Sequence, residues 1–123
     1  MNYGDNKYRA TVVRWVDGDT VELQVDLGQK VYVKGKYRLA RIDAPEIRKR
    51  AGVTDKEKAA GLALLADLEH DYPPGTKMTV STSKQGKYGR YIVEIYPFDN
   101  DENLSDMLLK NGRVKPYHKF KAL

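Results

Sequence analysis

Thr20-Val21-Glu22-Leu23-Gln24-Val25-Asp26-Leu27 alternates apolar and polar residues without a break. Val21, Leu23 and Val25 fall on one side of an extended chain, and Glu22, Gln24 and Asp26 on the other. That is the period of a strand with one buried face. Toward the N-terminus, Asp17-Gly18-Asp19 reads as a turn, preceded by the Val-, Tyr- and Trp-rich stretch Tyr8 to Val16. Toward the C-terminus, Gly28-Gln29 reads as a short turn. Val31, Val33, Tyr37 and Leu39 carry the same parity into a third strand, with Gly35 expected at a bulge or bend. Three strands joined by short turns predict an antiparallel meander.

Beyond this meander the period changes. Thr54-Asp55-Lys56-Glu57 has the form of a capping box, with Thr54 capping the backbone and Glu57 reaching back. Ala59, Ala60, Leu62, Ala63, Leu65 and Ala66 then recur at helical spacing, which predicts a helix over about 55–70. Tyr72-Pro73-Pro74-Gly75 ends it. A fourth strand is expected over 77–83 and a fifth over 90–97. Asn103 is placed to cap a short helix with Leu104, Met107 and Leu108 on its apolar face and Asn111-Gly112 as its stop. The order β-β-β-α-β-β-α is that of a five-stranded OB-fold barrel with two helices, an α+β, mainly β architecture. The rule that neighbouring elements pair predicts a closed or partly closed antiparallel sheet.

A chain of 123 residues suits one domain, taken here as 1–123, and can bury roughly two thirds of its unfolded surface. The sequence contains no Cys, which excludes thiol catalysis, disulfide scaffolds and iron–sulfur clusters. Only two His, His70 and His118, argue against a His-rich metal site or a conventional triad. No apolar run approaches a membrane span, and the start lacks an apolar leader segment. A cytoplasmic protein and a mature secreted one both agree with this. Lys plus Arg is 22 against 17 acids, a net +5 that suits a polyanionic partner. Nothing in the sequence points to an oligomer, so a monomer is expected.

The chemistry concentrates in a few short stretches. Asp17 and Asp19 flank a glycine between two strands; alone, this is a hairpin turn. Asp43 stands at the end of the third strand in Ile42-Asp43-Ala44-Pro45-Glu46, where Pro45 holds Ala44 extended and stiffens the turn. Asp19 and Asp43 can share a hard cation with a backbone carbonyl, leaving positions for water and substrate. Arg38 lies five residues before Asp43, opposite in parity to Tyr37 and Leu39, so it faces outward if those two face the core. Arg90 ends Lys87-Tyr88-Gly89-Arg90. Two guanidinium forks beside a carboxylate site match phosphate oxygens. The basic, aromatic stretch Arg113 to Lys121 and the run Arg48-Lys49-Arg50 read either as solvated surface or as contacts to a nucleic-acid backbone, with Tyr117 a candidate stacking platform.

Val16 to Thr20, Arg38-Leu39-Ala40-Arg41-Ile42-Asp43-Ala44-Pro45-Glu46, the Ala-rich helix, Lys87 to Arg90, and Asn103 through Gly112 together resemble the staphylococcal nuclease (thermonuclease) family. In that order they cover about residues 8–117. The resemblance implies an OB-fold and calcium-dependent hydrolysis of DNA and RNA, with single-stranded substrate preferred and 3′-phosphate ends left. It implies Asp19, Asp43 and the Ala44 carbonyl as metal ligands, Arg38 and Arg90 as catalytic arginines, and Glu46 as general base. Lys87 and Tyr88 resemble contacts to a terminal phosphate. Many members carry Thr where this chain has Ala44, and often an acid where it has Gly86. The alternatives are a catalytically inactive OB-fold module that binds nucleic acid, and an interaction domain that keeps only the barrel. Neither of these needs Asp19, Arg38, Asp43, Glu46 and Arg90 together.

Overall fold

Val21, Leu23 and Val25 point into a core, as their alternation requires. They sit on β2 (Thr20–Asp26), which pairs antiparallel with β1 (Lys7–Asp17) and with β3 (Tyr32–Leu39). The chain continues through a two-residue strand β4 (Ile42–Asp43), helix α1 (Asp55–Asp71), β5 (Lys77–Lys84), β6 (Tyr91–Tyr96), helix α2 (Leu104–Lys110) and a second two-residue strand, β7 (Lys115–Pro116). The computed structural model describes residues 7–48, 50–84, 91–98 and 101–117.

β1, β2, β3, β6 and β5 form a closed barrel in that order. With the two helices, this is the OB-like α+β fold expected from the element order. The sheet is not wholly antiparallel. It closes through β3 and β6, which run parallel with Arg38 opposite Ile92. Local adjacency cannot anticipate this pairing, because the two strands are far apart in the chain. The β4–β7 ladder is also additional, and it brings the C-terminal segment to Asp43, which pairs with Lys115.

The expected bulge is not at Gly35, which sits in register opposite Leu23. The irregularities fall in β1, between Val12 and Arg14 and between Trp15 and Asp17. They account for its parity: Ala10 and Val12 point inward, and the extra residue then turns Trp15 inward in place of Arg14. β1 pairs with β5 through Lys7–Thr11, ahead of both irregularities, and with β2 from Arg9 to Asp17.

α1 packs on β1 and α2 on β6, and they add Leu64, Leu68, Leu104 and Leu108 to the buried core. Thr54 caps α1, its Oγ1 accepting the Glu57 N–H at 3.0 Å. The Trp15 indole donates to the Tyr72 carbonyl at 3.0 Å, tying the end of α1 to β1. Asn103 caps α2 by accepting the Asp106 N–H at 3.2 Å.

The β2–β3 turn is centred one residue later than its sequence suggests. Gly28 accepts the Val31 N–H at 2.9 Å, and Gln29 and Lys30 occupy the central positions with φ of 53° and 64°. This left-handed pair is the I′ geometry that favours Asn-Gly and is costly for Gln-Lys. The double variant Gln29→Asn/Lys30→Gly is expected to raise the unfolding free energy by about 1 kcal/mol, read by denaturant unfolding.

Candidate active site

The loops that carry the acids rest on the small-residue face of α1. A Cβ built on Gly18 would lie 2.6 Å from Leu64 Cδ2 and 2.9 Å from Ala44 Cβ. One built on Gly61, in the middle of α1, would lie 2.6 Å from both the Pro45 carbonyl oxygen and Ile47 Cγ2. The Asp17–Thr20 turn, the Ala44–Ile47 loop and the helix therefore meet at backbone distance, and only glycine fits at these two positions. The Asp19 carbonyl accepts the Leu39 N–H at 2.8 Å, fixing the turn to the end of β3.

Arg38 is where these segments converge. It is only 8% exposed, between Tyr37 and Leu39, which are also buried. Parity does turn it away from the barrel interior, but that side is covered. One guanidinium nitrogen donates to the Ile42 carbonyl at 2.9 Å. The other donates to Asp43 Oδ1 at 3.0 Å and lies 3.5 Å from Asp19 Oδ2. The Tyr117 ring covers the planar face, with its centroid 4.4 Å from the guanidinium carbon. The expectation of a solvent-facing Arg38 is thus corrected: β4 and the segment after β7 build a wall over it. Asp19 and Asp43 flank one arginine nitrogen, so the two carboxylates predicted to share a site do meet.

Asp19 is further oriented by the Ala44 N–H, 2.9 Å from Oδ2, and by the Thr20 hydroxyl, 3.2 Å from Oδ1. Asp17 Oδ1 accepts the Asp19 N–H at 3.0 Å. Burial, reinforced by the neighbouring Asp19 carboxylate, pushes the Asp17 carboxyl up to about 6. Glu46 behaves in the opposite way. Its Oε1 accepts the N–H groups of Ile47 at 3.1 Å and Arg48 at 2.9 Å, and the Arg48 and Arg50 guanidiniums lie 3.4 and 3.8 Å from its carboxylate. The Arg48 backbone bond, aided by the two positive charges, holds Glu46 below the usual carboxylate range.

Asp17, Asp19, Arg38, Asp43, Glu46 and Tyr117 line one open cleft of about 760 Å³. Among the described residues, no group of three or more His, Asp or Glu side chains is arranged to hold a metal ion. The donors available at the Asp19–Asp43 pair are oxygens, the chemistry a hard cation requires. Lys87, Tyr88 and Arg90 lie outside the described residues.

Two positioning residues escaped the sequence reading. Glu57 does not reach back to Thr54. Its Oε2 accepts the Glu46 N–H at 3.1 Å, tying the Ala44–Ile47 loop to the first turn of α1. Arg41 sits in the left-handed region, with φ of 69°, at the corner between β3 and β4. Its guanidinium clasps Glu94 through two bonds of 2.9 Å, Asp106 at 2.7 Å and Asn103 at 3.2 Å. The bonds to Glu94, with support from Asp106, raise its pKa further above the ordinary arginine value. Its carbonyl accepts the Tyr117 N–H at 3.0 Å. The corner that projects Asp43 is thereby pinned to β6 and α2. The one signal for Arg41 was its place between Ala40 and Ile42, where the strand alternation stops.

No protein-family model matches this chain, and no curated protein matches it. No helix among the described residues is long and apolar enough to cross a membrane.

Asp17 gives a signed pH prediction. A raised carboxyl favours the protonated folded state, so this group costs stability as pH rises from 3.8 toward about 6. In chelator, Asp17→Asn is expected to be more stable than the parent near neutral pH by about 1 kcal/mol after solvent screening, with the gain vanishing toward pH ~4. Thermal melts across that range check it. Gly61→Ala is expected to destabilise by about 1–3 kcal/mol despite alanine's better helix propensity, because the new methyl meets backbone at Pro45. Urea unfolding of the variant reads the sign.

Proposed function

We propose that this protein is a metal-dependent nuclease of the staphylococcal nuclease type, hydrolysing phosphodiester bonds of DNA and RNA. The observation that carries the reading is the buried Arg38 guanidinium held between Asp19 and Asp43 in an open cleft that Glu46 also lines. A buried, fully oriented arginine at the base of an acidic cleft has little structural rationale on its own. An apolar residue would fill the wall with less desolvation cost. It has a clear rationale as a fixed donor for charge that grows on a phosphoryl group.

Asp19, Asp43 and the Ala44 carbonyl would hold the cation, and calcium is the ion the family resemblance implies. Such a cation supplies charge stabilisation at the phosphorus centre and acidifies bound water. The chain's own groups do the rest. Arg38 is permanently charged, so it donates hydrogen bonds and takes no proton. Its donors are held before substrate arrives, so they bind the transition state without reorganisation. Arg90 is assigned the second fork by sequence. Glu46, kept ionised and tethered by loop N–H groups, accepts a hydrogen bond from the attacking water. Its lowered pKa suits orienting the water better than removing its proton outright. Lys87 and Tyr88 are assigned to substrate phosphate, and Tyr117 to the covering of Arg38 and the flanking nucleotide. The partner is single-stranded or locally opened nucleic acid, acted on by a monomer.

Heat-denatured DNA incubated with calcium, with magnesium and with chelator tests the reading. Calcium-dependent cleavage leaving 3′-phosphate ends is expected. Arg38→Ala and Arg90→Ala should each lose at least about 100-fold in single-turnover rate. Glu46→Gln should keep DNA affinity while losing rate. A folded parent protein that binds DNA but does not cut it in calcium overturns the nuclease reading in favour of a binding module.

A further inference from the structure

A second cleft of about 770 Å³ adjoins the first, on the far side of Pro45. The two share Asp43, Ala44, Pro45 and Lys115 in their walls, so they form one continuous groove. The second lobe lies between α1 and the segment leading into β7. Its floor is small and apolar, from Ala60, Ala63 and Val114. Its rim is basic, from Lys56, Arg113 and Lys115. The acids on the same walls are already engaged: Glu57 accepts the Glu46 N–H and Asp43 accepts Arg38. Asp67 holds one nitrogen of Arg113 at 2.6 Å, fixing that side chain in place. Lys56 and Lys115 form no ion pair among the described residues, and Lys56 is exposed. Its position also runs against helix electrostatics. It stands in the first turn of α1, where the macrodipole favours anions.

We propose that this second lobe is a subsite for the polynucleotide backbone beyond the cleaved linkage. Lys56 and Lys115 contact successive phosphates, and the Ala60–Ala63–Val114 floor receives a sugar or base. The inference rests on the nucleic-acid reading of the first lobe and extends it. It makes the protein's affinity depend on strand length, since a short oligonucleotide fills the catalytic lobe alone. The size of the lobe is within the roughly 300–1,000 Å³ usual for ligand clefts.

The test measures binding of fluorescein-labelled trithymidylate and decathymidylate by anisotropy, in chelator, to the parent protein and to Lys56→Gln. Gln in the first helical turn does not oppose the macrodipole, so the variant should melt no lower than the parent. For the decanucleotide, a single lost phosphate contact should weaken binding by about three- to fivefold. It should also reduce the slope of log affinity against log salt by about 0.7. Trinucleotide binding should not change. Lys56→Glu should show the same pattern with a larger loss. Decanucleotide binding that is indifferent to both variants, or equal losses for both lengths, overturns the subsite while leaving the nuclease reading in place. A parent protein that binds neither probe in chelator overturns the subsite, while the nuclease reading is judged separately by cleavage of denatured DNA in calcium.

Discussion

The structure depends on housing one arginine away from water. A guanidinium that is 8% exposed must find partners for its donors or bear a large desolvation cost. Arg38 finds them in a carbonyl, two carboxylates and an aromatic face. These partners come from three separate pieces of chain. The β1–β2 turn brings Asp19, the two-residue strand after β3 brings Asp43 and the Ile42 carbonyl, and the segment after β7 brings Tyr117. The barrel supplies the register that places Arg38. The loops are then constrained to converge on it, since a lapse in any one of them leaves a buried charge short of a partner. This couples the integrity of the wall to the chemistry of the cleft.

The same convergence explains the residues around it. Gly18 and Gly61 remove the side chains that would keep two loops off the helix. Arg41 accepts a left-handed backbone and is compensated by its clasp on Glu94, Asn103 and Asp106. Glu57 is spent on holding Glu46 and not on completing its own helix cap. These are local departures from what propensity favours, and they sit around the candidate site, where such departures are expected.

The sequence was most informative where a short-range rule applies. Alternation located β2, helical spacing and the Thr54 cap located α1, and Asn103 located the start of α2, each within a residue or so. The turn at Gln29-Lys30 was misplaced because neither residue advertises a left-handed conformation as glycine does. Gly35 suggested a bulge, but a glycine in a strand needs none, and the bulges fell among the β-branched residues of β1. The meeting of Asp19, Arg38 and Asp43 was legible only by assembling motifs. What hid Arg38's burial was the β4–β7 ladder, two residues on each side and far apart in sequence. The Arg41 clasp joins residues 53 to 65 positions apart, a separation that no local pattern reports.

The parallel closure of the barrel has a kinetic consequence. Arg38 lies in the β3–β6 ladder, opposite Ile92. The β1–β2–β3 meander carries Asp19 and Arg38 and can form from contacts close in the chain. The β3–β6 pairing must draw together segments separated by α1 and β5, and non-local pairings of this kind are the slow ones in folding. Tyr117 arrives from still further along. Arg38 is thus walled in only when the last long-range contacts form. A partly folded chain holds the acids and the arginine near one another but leaves them in water, where the fork is neither fixed nor desolvated. Recovery of the finished cleft during refolding should therefore trail the recovery of strand and helix content, so the site itself reports that the barrel has closed.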